Sequence, residues 1–400
     1  MTSKTTQTVL ISGAGVSGMA LAYWLTNYGY QVTVVERATA LRDGGYAVDL
    51  RGPAVEIVKQ MGLLPAVRSA AINNAVSYVD ERGRVVAEPG KVMELFAGRG
   101  ETADAELMRG DLLQLLYAKT KASVRYIWGD SIQTLNQDDR GVHVAFASGR
   151  TAHFDLIVGA DGVHSNIRRQ VWGDQPTASQ HLGYYVVLCT IPNYLGLKDQ
   201  ELLYRTPGKL AGLYTTHRPD EAKAIFYFTS PKLHYNFRDI DAQKRLLAEQ
   251  FAGQGWEVPR LLQEVQGASD FYFDGITQIT LDAWSSGRVA LLGDAAYCAS
   301  PLSGQGTSLA LVGAYVLAGE LRAAHGDHTQ AFAAYEQAMR PFVLANQKSA
   351  ATSGKQFISA SNVARWFGDF NIRLLPRMPW RNAVVKMFRA PFDAITLKQY

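Results

Sequence analysis

The sequence predicts an α/β protein in which a parallel, Rossmann-like sheet is interleaved with a mainly antiparallel one. Three observations predict it. Short apolar runs lead directly into glycine-rich turns at three places far apart in the chain. The stretch between the second and third turns alternates aromatic and polar residues. No linker, repeat or low-complexity tract separates these textures. With 400 residues, 47% of them hydrophobic, the chain can bury more than one core and is expected to form about two domains.

The first turn follows Thr8 to Ser12, an apolar run suited to a buried parallel strand. Gly13-Ala14-Gly15-Val16-Ser17-Gly18 comes next, and then a helical stretch from Val16 to about Tyr28. Each glycine has a reason: Gly13 permits the tight turn, Gly15 lets backbone approach a pyrophosphate, and Gly18 lets the helix lie close on the strand. Unpaired N–H groups at the helix start would face phosphate oxygens. A second strand, Gln31 to Val35, ends at Glu36, placed where an acid reaches the adenosine ribose hydroxyls and argues against a 2'-phosphate; Arg37 adjoins it as a further cofactor contact. A lone glycine motif is weak evidence. Strand, glycines, helix, strand and acid in that order make a strong one.

The second turn, Gly159-Ala160-Asp161-Gly162, follows the apolar Phe154 to Val158; the third, Gly293-Asp294-Ala295-Ala296, follows Arg288 to Leu292. Each places an Asp just past the C-terminal end of a buried strand, the edge of an open α/β sheet where ligands bind. Taken with the first turn, the set points to FAD. Beyond the third turn, Pro301-Leu302-Ser303-Gly304-Gln305-Gly306 should wrap the flavin ring and open a helix from Thr307 to about Leu321, with Leu309, Val312, Val316 and Leu317 on its apolar face. The positive end of that helix would stabilise charge on the reduced ring.

From about Leu182 to Phe273 the alternation fits antiparallel strands with one covered face, expected to lie over the flavin as a substrate-side sheet. Cys189 and Cys298 cannot make a disulfide framework, and no Cys/His cluster has metal-ligand spacing, so a reduced, metal-free, cytoplasmic protein is expected. Met1 to Thr8 lacks an apolar signal core, and no apolar run is long enough to span a membrane. The net charge of +4 is ordinary and gives no reason to expect nucleic acid. From Pro341 to Tyr400, nine Lys/Arg face two Asp/Glu, read as a solvated helix face. Phe357, Ile358, Val363, Trp366, Phe367 and Phe370 are expected to pack as a helix that Pro376 and Pro379 end.

The three turns resemble those of class A flavoprotein monooxygenases, the single-component FAD hydroxylases that include p-hydroxybenzoate hydroxylase and tetracycline-inactivating enzymes. The likeness runs from Val9 to about Leu321. It implies that Asp161 and Gly162 serve both FAD and a visiting nicotinamide nucleotide, and that Gly293 and Asp294 meet the ribityl chain. It further implies that Asp49 reaches the flavin, that Arg109 opens a helix beside FAD, and that Pro301, Gly304 and Gly306 line the ring. Arg42 lies near a position that holds nicotinamide phosphate in relatives. Three positions depart from the family pattern: Tyr297 replaces a His, Ser308 an Asn, and Gly313-Ala314 an Asp-Ala.

The resemblance implies a FAD-binding domain of residues 1–73, 104–178 and 274–340, a substrate domain of 74–103 and 179–273, and a bridging C-terminal segment of 341–400. It implies that NADPH or NADH reduces FAD, that O2 adds to form a C4a-hydroperoxide, and that this hydroxylates an aromatic or polycyclic small molecule. The flavin carries the chemistry, so no catalytic side-chain triad is expected. With one glycine motif for FAD, the nicotinamide nucleotide should bind transiently in a surface groove. A monomer or homodimer is expected. The competing readings are a flavoprotein that sequesters its ligand without turnover, a flavin-dependent halogenase, whose Trp motif is missing, or another FAD oxidoreductase.

Overall fold

The computed structural model describes residues 6–41, 44–90, 103–173, 178–358, 361–375 and 378–400. Arg42 and Pro376 lie outside these. The strands Thr8–Ser12 and Gln31–Glu36 pair in parallel, as do Thr8–Ser12 with Leu156–Gly159 and Leu156–Gly159 with Val289–Leu291. Arg125–Trp128 extends this sheet in parallel at one end, and the short Ser285–Ser286 caps the other in antiparallel sense. Leu156–Gly159 and Val289–Leu291 are buried throughout, which is why continuous apolar runs encode them.

Register settles where the turns meet. Ser12 stands opposite Gly159, and Gly159 opposite Leu291, so all three strands finish at one edge. The Val16–Asn27 helix returns from that edge beside Gly306–Ala323, with Trp24 packed edge-on against Tyr315 at 5.0 Å. Leu309, Val312, Val316 and Leu317 are all buried, as their spacing predicts.

A second sheet has the strand order Tyr272–Ile279, Ser179–Pro192, Glu221–Thr229, Lys209–Thr215, Gln200–Thr206, Ala75–Val79, Val85–Ala87. It is antiparallel except where Gln200–Thr206 runs parallel to Ala75–Val79. The expectation of one covered face is corrected: Leu210 to Thr215 are buried without alternation. The helices Ile240–Gln250 and Val258–Gly267 supply the second cover, burying Leu247, Leu261 and Val265 against Phe226 and Phe228. The opposite face holds Val186, Leu188, Tyr214 and Ile276, which join Met108 and Ile72. That face looks toward Tyr46 and the Pro301–Ser303 turn, whose Leu302 packs on it.

A three-stranded antiparallel sheet, Ile132–Gln137, Val142–Phe146 and Thr151–Phe154, and the two-stranded ladder Ala47–Leu50 with Ala105–Met108 complete the β-structure among the described residues. The His328–Phe357 helix runs unbroken through Pro341. Its far end packs between the second sheet and the Pro301–Ser303 turn: a Cβ on Gly354 would lie 2.8 Å from Leu302 and 3.1 Å from Tyr184, and Phe357 meets Tyr227 edge-on at 5.3 Å. The packing expected further on is overturned. In Asn362–Leu374, Val363, Trp366, Phe367 and Phe370 are exposed, while a polar pair, Arg205 with Asp369, fastens the helix to the sheet. Arg205 also lies 3.4 Å over the Tyr78 ring. Among the described residues, no helix is long and apolar enough to cross a membrane.

Candidate functional site

The turns interlock through glycines. Gly13 has φ of 109°, and a Cβ there would lie 2.5 Å from the Ala160 carbonyl oxygen, so any side chain would push the first and second turns apart. A Cβ on Gly18 would overlap the Gly13 carbonyl. Gly15 differs, because nothing lies within 4 Å of its would-be Cβ. It caps the Val16–Asn27 helix without a side-chain hydrogen bond, leaving amides that face open space. Ala14 N–H donates to Glu36 Oε2 and Ala38 N–H to Oε1, each at 2.9 Å, so Glu36 braces this turn at the strand end where a ribose would sit. Arg37 is exposed beside it.

Asp161 turns inward. Its carboxylate accepts from Ser165 Oγ, from Asn166 N–H at 2.8 Å and from Ile167 N–H at 3.1 Å, anchoring the start of the Asn166–Trp172 helix. Burial raises its pKa while these hydrogen bonds oppose the rise. Gly162, with φ of 81°, has only open space beyond it. Arg168, which sequence reasoning passed over, joins two turns: its guanidinium donates to Ala295 O at 2.8 Å and to Val163 O at 2.6 Å. Only the folded chain reveals that role, since Arg168 and Ala295 are remote in sequence.

Asp294 follows Gly293, whose φ is 65°. Its carboxylate is solvent-accessible although protein surrounds it on most sides, the signature of a group on the wall of a deep cleft. Burial raises its pKa; a hydrogen bond from the Cys298 thiol and the charge of Arg109 pull it back. Tyr46 faces the same groups: burial raises its pKa, Arg109 lowers it, and Asp294 raises it further. The Arg109 guanidinium sits 6.0 Å from the Tyr46 ring centroid, and Tyr272 lies 6.3 Å from Tyr46. Asp274 accepts from Tyr272 Oη and pairs with His164 Nε2, both at 3.2 Å. The structure therefore brings Arg109 and Asp294 to one cleft.

Asp49 lies on the ladder beside the ring-wrapping turn. It pairs with Arg51 at 2.9 Å, and a Cβ on Gly304 would fall 3.3 Å from its Oδ2. Arg51 N–H donates to Ser308 Oγ at 3.1 Å, which gives one departure from the family pattern its own use. Tyr297 and Gly313 account for the others together, because a Cβ on Gly313 would overlap the Tyr297 hydroxyl. Behind Asp49, desolvation and neighbouring carboxylates raise Glu106 to about 8 and Glu201 to about 7. Sequence gave no signal for this pair, since their strands belong to different sheets.

The Pro301–Ser303 turn is strained and polar. Ser300 adopts φ of 83° without being glycine, and Gly304 φ of 61°. Gln305 is fully buried, and neither atom of its side-chain amide has a partner; Ser300 Oγ is likewise unpaired. No side chain caps the helix that begins at Gly306, and the space beyond Gly306 is open. Helix-start amides, unpaired polar atoms and bare glycines match a phosphate-bearing, hydrogen-bonding flavin. The residues present fit FAD.

Comparison with known proteins agrees. Residues 6–349 match the family described as FAD binding domain. A flavin-dependent monooxygenase of Legionella longbeachae is 38% identical over 397 residues, 98% of each chain. An uncharacterized protein of Mycobacterium tuberculosis is 44% identical over 342 residues, covering 85% of this chain and 92% of that one. Among solved structures, the tetracycline destructase Tet(55) superposes with a TM-score of 0.85 at 38% identity over 99% of both chains. Klebsiella pneumoniae HpxO with FAD and uric acid reaches 0.76 at 22% identity, covering 97% of each chain, a likeness of fold.

Proposed function

Because this chain belongs to the FAD binding domain family of class A flavin-dependent monooxygenases, we propose that it uses NADPH or NADH and O2 to hydroxylate an aromatic or polycyclic small molecule. The observation that supports this most directly is the convergence of three glycine turns on one sheet edge, with Leu302, just beyond the third, packed on the apolar face of the second sheet. When bound, FAD supplies the electron transfer and oxygen activation.

The chain's part is to hold and to shield. Gly15 would admit the pyrophosphate in a turn that Gly13 and Gly18 hold tight; Glu36 would meet the ribose, and Asp294 the ribityl hydroxyls. Amides at the start of Gly306–Ala323 would stabilise negative charge on the reduced ring, by about 0.3–1 kcal/mol and up to ~2 when partly buried. Asp161 supports this reading indirectly, by fixing its turn. Tyr214, Leu188, Met108 and Leu302 form the apolar wall that would exclude water from the reacting atoms. A nicotinamide nucleotide would approach transiently by the polar rim of His164, Asp274, Tyr272 and Arg109.

Tetracyclines and phenolic aromatics are the substrate classes to test first, the former because of the destructase likeness. Purified protein should be yellow. NADPH and NADH oxidation, measured with such a panel, should accelerate with a subset of compounds and yield products carrying one added oxygen. Tight binding without any such turnover would favour a sequestering flavoprotein instead.

A further inference from the structure

Away from the flavin cleft, the three-stranded sheet gathers two imidazoles and a carboxylate that sequence spacing does not announce. His143 and His153 are direct cross-strand partners in the antiparallel pair Val142–Phe146 and Thr151–Phe154, with ring centroids 4.7 Å apart. Asp138, in the preceding turn, places Oδ2 3.0 Å from His143 Nε2. One ligand atom from each residue lies within 4.8 Å of the other two, and all three side chains are exposed. We propose that Asp138, His143 and His153 form a binding site for a divalent transition cation of the zinc, nickel or copper(II) class.

The surroundings prepare the ligands. Asp138 Oδ1 accepts from Arg140 N–H at 2.7 Å and from Gly141 N–H at 3.0 Å, so the turn holds one carboxylate oxygen and leaves the other toward the histidines. These amides, followed by His143, also hold the carboxyl below its usual range, keeping it ionised. Gly141 provides room: a Cβ there would overlap the His153 ring, which lies across the bare glycine. Arg288 locks the turn from beneath, its guanidinium donating to Asp139 O at 2.6 Å and to Asp138 O at 3.3 Å.

Ligand chemistry selects the ion. Two imidazole nitrogens and one carboxylate oxygen suit borderline metals and leave a position for water, whereas calcium and magnesium need more oxygen ligands. Bond lengths near 2.0–2.2 Å require the side chains to close slightly from their present spacing, and their exposure allows it. Binding would replace the Asp138–His143 hydrogen bond with bonds from both residues to the ion. Arg288 precedes the strand Val289–Leu291, so the site borders the edge of the parallel sheet opposite the cleft. Its role is a structural clip on the hairpin and not part of oxygen chemistry.

The test is calorimetric titration of zinc chloride into tag-free, FAD-loaded protein at neutral pH. One equivalent of zinc should bind, raise the thermal midpoint and leave flavin absorbance unchanged. The His143→Ala/His153→Ala variant should lose this binding. Gly141→Ala, which keeps every ligand but displaces His153, should weaken it about tenfold or more, on the scale of lost ligand orientation. Far-UV circular dichroism and retained FAD confirm folding of both variants. The assignment fails if the parent shows no saturable zinc binding, if the double-alanine variant binds as tightly as the parent, or if calcium chloride binds equally well.

Discussion

Tyr297 and Gly313 fit one another because the Tyr297 hydroxyl occupies the space a side chain at position 313 would need. Trp284 stacks obliquely on the same ring at 4.6 Å, and Tyr335 Oη lies 3.1 Å from its hydroxyl, so the ring cannot turn away. Gly313→Ala should therefore destabilise the protein by about 1–3 kcal/mol through overpacking, despite alanine's better helix propensity. Adding Tyr297→His should recover most of the loss. Denaturant unfolding of the parent, both single variants and the double variant measures this; equal losses in the presence and absence of Tyr297 would refute the coupling. At this scale the glycines were readable because a bare backbone is the only solution to Gly13 against Ala160. The Tyr297–Gly313 pairing was not, because two departures from a pattern look unrelated until the fold sets them face to face.

Parallel strands could be read from short apolar runs, and the Gly306–Ala323 helix from its buried spacing. The Ile240–Gln250 and Val258–Gly267 helices went unseen because a sheet texture was extended across them, although Asp239 is an N-cap that accepts from Ala242 N–H at 2.9 Å. The aromatics of Asn362–Leu374 misled differently: helical spacing marks a face, not what covers it. Upstream, the end of the His328–Phe357 helix packs on Tyr184 and Tyr227 of the second sheet and on Leu302 of the Pro301–Ser303 turn. Phe357→Ala removes the ring that braces Tyr227 and is expected to raise KM several-fold while FAD content stays constant. Steady-state kinetics with retained flavin absorbance would check it. Unchanged KM would separate this helix from the substrate wall.

The whole molecule assembles a carboxylate cluster that neither sheet contains alone. Asp49 and Glu106 face each other on the two-stranded ladder, and Glu201 comes from the seven-stranded sheet. Desolvation and then Asp49 raise Glu106 from 4.5 to about 8, and the same causes bring Glu201 to about 7. The sign follows: between those values the folded state retains protons that the unfolded chain releases, so stability falls as pH rises through the window. Glu106→Gln should flatten that decline and stabilise the protein by about 1–2 kcal/mol above it. Thermal unfolding from pH 5 to 9 reads this out, across the span of the Glu106 shift; an unchanged slope would contradict it. Such clustering escapes a linear reading, which sees neighbours in the chain and not across sheets.

Gly13 and Ala160 abut, and the third turn closes on the second only when Leu292 N–H reaches Gly159 O at 2.9 Å. A nascent chain thus carries its first nucleotide-binding element long before the strand that completes the cradle leaves the ribosome. Until Val289–Leu291 arrives, Leu156–Gly159 presents an unpaired apolar edge, the kind of surface that chaperones shield and that aggregates when translation stalls.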